Sequence, residues 1–212
     1  GTEYEYLMRK ADKALYLAKE KGKNRHIIYE ERLHGKLETD DMQNMAMAYA
    51  VSKEKKREAI TEMITELCVS GVNTIVKNEE RLQQIRSLFD LDGITVFSDR
   101  GSRLVCRNGN YMAEAPDGRP GFEDEGYLSL FGDDDIFVES NMIKLRSQNP
   151  AAYAVTQEQE IGAALQCLSR KEGIPYTMVN FEVFNRNRKW SDEDITLLTL
   201  LGHCIGDLLC RF

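Results

Sequence analysis

The sequence of 212 residues lacks paired cysteines and long apolar runs. Its five cysteines are odd in number and show no CxxC spacing, so neither a disulfide framework nor a zinc site is indicated, and buried reduced thiols are expected. No apolar run approaches the roughly 20 residues that cross a bilayer, and no signal-peptide hydrophobic region is present. We therefore expect a cytoplasmic protein with no membrane contact from this segment.

Excess positive charge is also missing. The formal net charge is -7, whereas a phosphate-binding face needs a local excess of Lys and Arg, which argues against a nucleic-acid partner. The only basic run, Lys53 to Arg57, is interleaved with Glu54 and followed by Glu58, as on a solvated helix face. The hydrophobic content of 42% is enough to bury the core of one or two domains.

Helical periodicity dominates the first half of the sequence. Apolar residues from Leu7 to Ala18 recur along one helical stripe that stops at Gly22, and His26 to Tyr29 predict a short strand. A polar boundary follows. A second helix begins near Asp40 and continues to Leu67, and a third is predicted from about Asn73 to Phe89.

The second half has the alternation and turn signals of strands, followed by a capped helix. Together these segments predict an α+β fold: a central antiparallel sheet of about five or six strands with flanking N- and C-terminal helices, plus an N-terminal helix–strand fragment. The predicted strands are Ile94–Phe97, Leu104–Cys106, Ile136–Val138, Ala163–Leu168 and Tyr176–Phe184, with a short helix opening at Pro150 and a final helix from Trp190 capped by Ser191.

The opening ADKALYLAKEKGKNRHIIY resembles the C-terminal end of a GGDEF domain, the catalytic domain of diguanylate cyclases. There an Ala-Asp-x-Ala-Leu-Tyr-x-Ala-Lys helix is followed by a Gly-Arg-Asn-Arg turn and the last strand. The resemblance covers residues 1–30, with 31–54 as a partly helical linker, and the Gly-Gly-Asp-Glu-Phe signature is absent. We expect the chain to be cut from a longer cyclase.

The GGDEF resemblance implies a role for two lysines. In an intact domain of that family, Lys19 and Lys23 would help to hold the phosphates of GTP, with magnesium carried by acidic residues that are absent here. Lys23 stands where the family usually has arginine, so it offers a point charge instead of a bidentate fork. In this fragment we interpret both lysines as solvated charges at a helix end, and we expect no catalytic residue and no cofactor in the chain itself.

Residues 55–212 resemble GAF domains, the small-molecule-sensing modules of bacterial signalling proteins. The resemblance rests on LFDLDGITVFSDRGS as the entry into the first strand and on VNFEVFNRNRKWSDEDITLLTLLGHCIGDLL as the last strand, turn and closing helix. GAF domains share a fold but not a ligand, so the resemblance leaves the small molecule unidentified.

In GAF domains the ligand cavity lies between the sheet and the irregular segment that links the middle strands, here about Phe131 to Gln157. The candidate lining residues are Phe97, Phe131, Asp134, Phe137 and Tyr153. Aromatic residues at such positions more often belong to an ordinary core, and Asp133 to Asp135 fit a solvated turn. The cyclic-nucleotide signature of phosphodiesterase GAF domains and the Cys-His pair that anchors bilins are both missing.

Three functions remain open at this point. The first is a sensory and dimerisation module that controls cyclic di-GMP synthesis, in which the long helices Met42–Leu67 and Ser191–Phe212 pair in a homodimer. The second is that the parent chain is the cyclase itself, converting two GTP into cyclic di-GMP. The third is a free methionine sulfoxide reductase of GAF type, which needs reactive loop cysteines, whereas Cys106 and Cys167 fall within predicted strands. His203 has no second His at metal-ligand spacing, and the adjacent Cys204 points to another face of the helix, so no metal site is expected.

Overall fold

The computed structural model describes residues 3–20, 26–34, 39–70, 79–98, 101–107, 110–112 and 124–210. The chain divides into two compact units, Gly1–Glu54 and Lys55–Phe212. We refer to them as the N-terminal and C-terminal units. No helix of the described residues is long and apolar enough to cross a membrane.

The N-terminal unit contains helix α1 (Glu3–Glu20), the single turn α2 (Glu31–His34) and the start of α3 (Thr39–Ser70). Ala18 is the one buried residue among the described side chains of this unit, and several apolar residues of α1 are more than half exposed, among them Tyr4, Leu7 and Leu15. The strand predicted from His26 to Tyr29 is not observed, because residues 26–30 are assigned neither helix nor strand. An extended segment becomes a strand only beside a second strand, and the described part of this unit supplies none.

The described residues of the C-terminal unit form one antiparallel sheet of six strands in the order β3-β2-β1-β6-β5-β4, which confirms the expected α+β architecture. β3 was not predicted, since three residues after a turn give no period-two pattern. The strands are β1 (Gly93–Ser98), β2 (Gly101–Arg107), β3 (Asn110–Met112), β4 (Ile136–Glu139), β5 (Ile161–Lys171) and β6 (Ile174–Phe184).

The helices before and after the strands are longer than those between them. α4 (Glu79–Leu88) precedes β1, the described residues between β3 and β5 form three short α-helices, and α8 is the last described element. The predicted start of α4 at Asn73 lies outside the described residues. The later helices are α5 (Glu125–Leu128), α6 (Leu145–Gln148), α7 (Pro150–Glu158) and α8 (Asp192–Cys210).

The first face of the sheet is covered by α3, α4 and α8, and this is the main core. Alternate strand residues point into it, as the period of two requires, and most of them are 0–1% exposed. The buried members on the sheet are Ile94, Val96, Ala163, Leu165, Cys167, Val179, Phe181 and Val183, and those on the helices include Ile60, Met63, Leu67, Leu82, Ile85, Leu198, Leu201 and Ile205.

Helix α8 approaches the sheet closely because glycine lies at its contact positions. A Cβ added at Gly202 would lie 2.5 Å from Cys167 Sγ, and one added at Gly206 would collide with Ser169 Oγ. Both contacts fall below any normal separation of heavy atoms, so only glycine permits the helix to lie at this depth.

An ionic cluster joins the start of α8 to α3. Asp194 accepts from Lys56 Nζ at 2.6 Å and from Arg188 Nη2 at 2.9 Å, and its amide donates to the predicted cap Ser191 at 3.1 Å. Burial alone would raise the pKa of the Asp194 carboxyl, but the hydrogen bonds and charges of Lys56 and Arg188 outweigh it and hold that pKa below its usual value. The segment KWSDED therefore both caps α8 and links the start of α8 to α3 through Asp194.

Candidate ligand site on the second face of the sheet

The second face of the sheet carries two rows of side chains defined by strand register. Phe97 pairs with Met178, which pairs with Leu168 on β5. Thr95 pairs with Asn180, which pairs with Gln166. Directly opposed residues share a face, so one row is apolar and the next is polar. The polar row is unexpected, because all three of its members are at most 5% exposed.

Aromatic rings from the connecting segment cover these rows. Tyr127 lies on α5, where the side chain of Asp124 caps the helix by accepting from the Tyr127 amide. Its ring meets that of Phe131 edge to face at 5.8 Å, and Phe131 lies 6.0 Å from Phe137 on β4. Such contacts add specific geometry to ordinary apolar burial. Helix α5, the turn that follows it and strand β4 thus each contribute one ring to this cluster.

Two members of the polar row, Gln166 and Thr95, form hydrogen bonds with residues beside the row. The Tyr127 hydroxyl donates to Gln166 Oε1 at 2.5 Å, and it also lies 3.9 Å from the sulfur of Met178. The Thr95 hydroxyl donates to Glu182 Oε2 at 3.2 Å, within the buried sheet. Asn180 Oδ1 is buried and accepts no hydrogen bond from any described residue. The side-chain oxygen of Asn180, in the middle of the row, is therefore a buried acceptor without a hydrogen bond from the described part of the chain.

Both faces of the sheet are buried, and they differ in the chemistry of the buried side chains. On the first face Val179 and Phe181 have no accessible surface, and on the second face Ala164 and Leu168 are 0–1% exposed. Six residues of the second face, or packed directly on it, are 5–7% exposed. We call this group the second-face site: Phe97, Tyr127, Phe137, Gln166, Met178 and Asn180.

The structure brings some of the sequence-predicted lining residues together. Phe97 and Phe137 belong to the second-face site, and Phe131 packs against it. Tyr153 packs against the same apolar cluster but also lines a separate cavity of about 270 Å³. Asp134 is exposed in a turn, where its carboxylate accepts from the Ile136 amide at 3.3 Å.

Sequence reasoning missed the residues that give the site its polarity. Tyr127, Gln166 and Asn180 were not among the candidates. A signal was present in β6, where Asn180 and Glu182 interrupt an otherwise apolar strand at every second position. Two buried polar residues at that spacing point to the same face and mark it as different from the main core.

The separate cavity lies at one end of β5 and β6. Its walls combine carboxamides with a few apolar groups, and its only charged lining residues, Glu160 and Arg186, carry opposite charges. Arg186 is already paired with Asp90 and Asp92, at 3.4 and 3.3 Å. The cavity thus has the character of a polar surface recess.

The groups that could support metal or thiol chemistry are limited. The described residues contain no group of three or more metal-ligating side chains. Burial raises the pKa of the Cys167 thiol to about 12, so almost no thiolate is present near neutral pH and Cys167 is not a nucleophile. Lys23 and the side chains of Lys19 and Cys106 lie outside what the structure describes.

Comparison with known proteins returns similarity at the level of solved structures. No protein-family model and no curated protein matches the sequence. A far-red absorbing dark state of JSC1_58120g3 with bound biliverdin IXa is 16% identical, with a TM-score of 0.47, and the alignment covers 72% of this chain and 98% of that one. GAF3 from Slr1393 of Synechocystis sp. PCC6803, in its photoproduct state, is 13% identical with a TM-score of 0.44. The alignment covers 66% of this chain and 94% of that one. The red/green cyanobacteriochrome NpR6012g4, in its green light-absorbing state, is 17% identical with a TM-score of 0.45. The alignment covers 66% of this chain and 94% of that one.

Proposed function

We propose that the C-terminal unit is a sensory module of GAF type that holds a small molecule against the second face of its sheet. The observation that carries this proposal is the row of polar side chains buried beneath aromatic rings on the second face, where Thr95, Gln166 and Asn180 are at most 5% exposed. Aromatic walls beside a few fixed polar groups are the usual composition of a small-molecule site. The sequence resemblance of residues 55–212 to GAF domains supports the same function.

The proposal extends to the protein in which the module works. The GGDEF-like opening supports a parent diguanylate cyclase that joins two GTP into cyclic di-GMP with magnesium. Each such domain would present one GTP, so the reaction needs two domains to face each other, and a regulatory module that sets their pairing controls the rate. This chain by itself lacks the signature motif and is proposed to be regulatory.

Helical pairing is the proposed means of control. Residues 47–52 of α3 are exposed on every side, although they include Met47, Tyr49 and Val51. On α8, Leu200 is 56% exposed. Apolar side chains on a solvent-facing helix favour association with a second helix, and a symmetric dimer would cover the same surface on both copies.

Binding of a fluorescent apolar probe tests the sensory site directly. The dye 1-anilinonaphthalene-8-sulfonate should bind the 212-residue chain with a saturable component, because it brightens in apolar sites. Met178→Trp adds bulk inside the second-face site and should abolish that component. Leu200→Trp adds the same group on exposed α8 and should leave it unchanged. Equal dye binding by both variants, after melting curves confirm that they are folded, would contradict the proposed site.

A further inference from the structure

Helix α3 leaves the main core through a segment without buried side chains. From residue 47 onward its first buried residue is Ala59, at 2% exposure, whereas residues 53–58 are all partly or fully exposed. Residues 47–52, which carry the proposed dimer surface, are exposed on every side. Apolar packing therefore does not fix the helix before Ala59, and polar contacts set how firmly residues 53–58 are held.

Two ion pairs with the start of α8 supply such contacts. Lys56 Nζ binds Asp194 at 2.6 Å, and Arg57 Nε binds Glu193 at 2.9 Å. The Arg57 side chain is 55% exposed, so its pair contributes little to stability. The side chains of Lys56 and Asp194 are only 19 and 9% exposed, and a charge-assisted hydrogen bond is stronger where water is mostly excluded. The Lys56–Asp194 pair is therefore the more important of the two attachments.

Asp194 is shared with a second cation, which comes from the loop after β6. Lys56 binds Oδ1 of the carboxylate, and Arg188 Nη2 donates to Oδ2 at 2.9 Å. The Arg188 side chain is 10% exposed, so water screens the three charges poorly. One negative charge between two positive charges leaves the cations repelling each other, so each weakens the other's bond to the carboxylate.

The position of Arg188 does not depend on α3. Its Nη1 donates to the carbonyl oxygens of Phe89 and Asp90, in the turn between α4 and β1. Its backbone amide donates to the Ser140 carbonyl at 3.0 Å, just after β4. Arg188 therefore moves with the ends of the strands, whereas Lys56 moves with α3, and the two meet at one carboxylate.

We propose that Asp194 is a shared-carboxylate switch: the closer Arg188 is held to it, the more weakly Lys56 holds helix α3. β6 carries Asn180 of the second-face site and runs directly into the loop with Arg188, so a displacement of this strand moves Arg188 relative to Asp194. The inference rests on the proposed sensory function and deepens it, because it names the contact that regulates the helix of the proposed dimer. Withdrawal of Arg188 fixes residues 53–58 on the C-terminal unit, and its close approach releases them.

Hydrogen exchange of the amides at residues 53–58 measures how firmly this part of α3 is held. In the 212-residue protein Lys56→Met should accelerate that exchange about fivefold, because a charge-assisted hydrogen bond is lost. Lysine and methionine have nearly equal helix propensities, so the helix itself is not weakened. Lys55→Met is the matched control: Lys55 is exposed and forms no ion pair with a described residue, so the wild-type rates should remain.

The decisive variant is Arg188→Gln, which removes the second cation but keeps a side-chain donor for the carbonyl oxygens of the turn. At the same protein concentration, exchange at residues 53–58 should become about threefold slower, because Lys56 then binds Asp194 without repulsion from a like charge. In the Lys56→Met background the same substitution should have no effect on these amides.

Arg186 provides the control in the same loop, because it pairs with Asp90 and Asp92 instead of Asp194. Arg186→Gln removes a positive charge two residues away from Arg188 and leaves the shared carboxylate intact. Exchange at residues 53–58 should therefore stay at the wild-type rate.

Unchanged or faster exchange in folded Arg188→Gln would overturn the switch, because removal of a purely structural arginine loosens the helix or leaves it alone. Slower exchange that persists in the Lys56→Met background would overturn it too, since the effect would then bypass Lys56. Should Arg188→Gln fail to fold, Arg188→Lys gives the same comparison, because one ammonium cannot bind Asp194 and the carbonyl oxygens in the planar geometry of the guanidinium. None of these measurements uses a ligand, so their outcome is independent of the dye test of the sensory site.

Discussion

Replacing Gly202 by alanine should destabilise the C-terminal unit even though alanine is the better helix former. The added Cβ would lie 2.5 Å from Cys167 Sγ and 2.8 Å from Cys167 Cβ, and 3.4 Å from the ring of Phe181. Both Cys167 atoms belong to β5, which has a neighbouring strand on each side, so α8 has to move outward. Overpacking of a dense core costs about 1–3 kcal/mol, and the two contacts below 3 Å place this site in the upper part of that range, at about 2–3 kcal/mol. Alanine regains about 1 kcal/mol of helix propensity, so we expect a net loss of roughly 1–2 kcal/mol.

Urea unfolding followed by tryptophan fluorescence measures this loss. The chain has a single tryptophan, Trp190, which is 6% exposed and stacks against the Arg188 guanidinium at 4.3 Å, so its emission reports on the C-terminal unit. The control is Leu200→Ala on the exposed side of α8, expected to change the free energy of unfolding by about 0.5 kcal/mol or less. In a double mutant, Cys167→Ala removes the sulfur contact and should make Gly202→Ala less costly. A Gly202→Ala protein as stable as the wild type would refute the close-packing argument.

Four further outcomes are expected. Glu172→Asn should raise the free energy of unfolding by about 0.5–1 kcal/mol in the same urea assay, because Glu172 (φ 55°) and Gly173 (φ 82°) form a hairpin turn that favours Asn-Gly. Stability should fall in acid as the pH drops through the lowered folded-state pKa of Asp194, since the contribution of a depressed carboxyl is complete only above its unfolded value, and Asp194→Asn should lose this part of the pH profile. With GTP and magnesium the chain should make no cyclic di-GMP by chromatography, and product from a clean preparation would refute the regulatory reading. Light scattering at micromolar concentration should give a dimer, whereas a monomer at every concentration would exclude helical pairing.

The elements that sequence reasoning predicted best carry their own local signals. The cap at Ser191, the acidic first turn after it and the regular leucines fix the start and face of α8 without reference to any other part of the chain. The two long hairpins were predicted for a similar reason, because period-two alternation on both sides of a turn is local information. The strand expected at His26 failed since a strand exists only through its neighbour.

The candidate site was harder to predict because it forms from residues distant in sequence. Tyr127 and Gln166 are 39 residues apart when they bond, and Tyr127 is 51 residues from Met178. Only strand register shows that Asn180 lies beside Gln166, and a shift of one residue would place it in the main core. The aromatic residues of the connecting segment could be identified from composition. The polar row could be identified only from the register in which the strands pair.

The same two strands carry both the proposed ligand contacts and a close contact with helix α8. On β5, Gln166 faces the second-face site and the next residue, Cys167, meets α8 at Gly202. On β6, Asn180 faces the site and Phe181 lies in the main core. Because α8 packs directly on the sheet at its glycines, with no space between them, a ligand that displaces these strands has to displace the helix as well. The proposed sensor would therefore pass its signal through the sheet by direct packing, from the polar row on one face to the closing helix on the other.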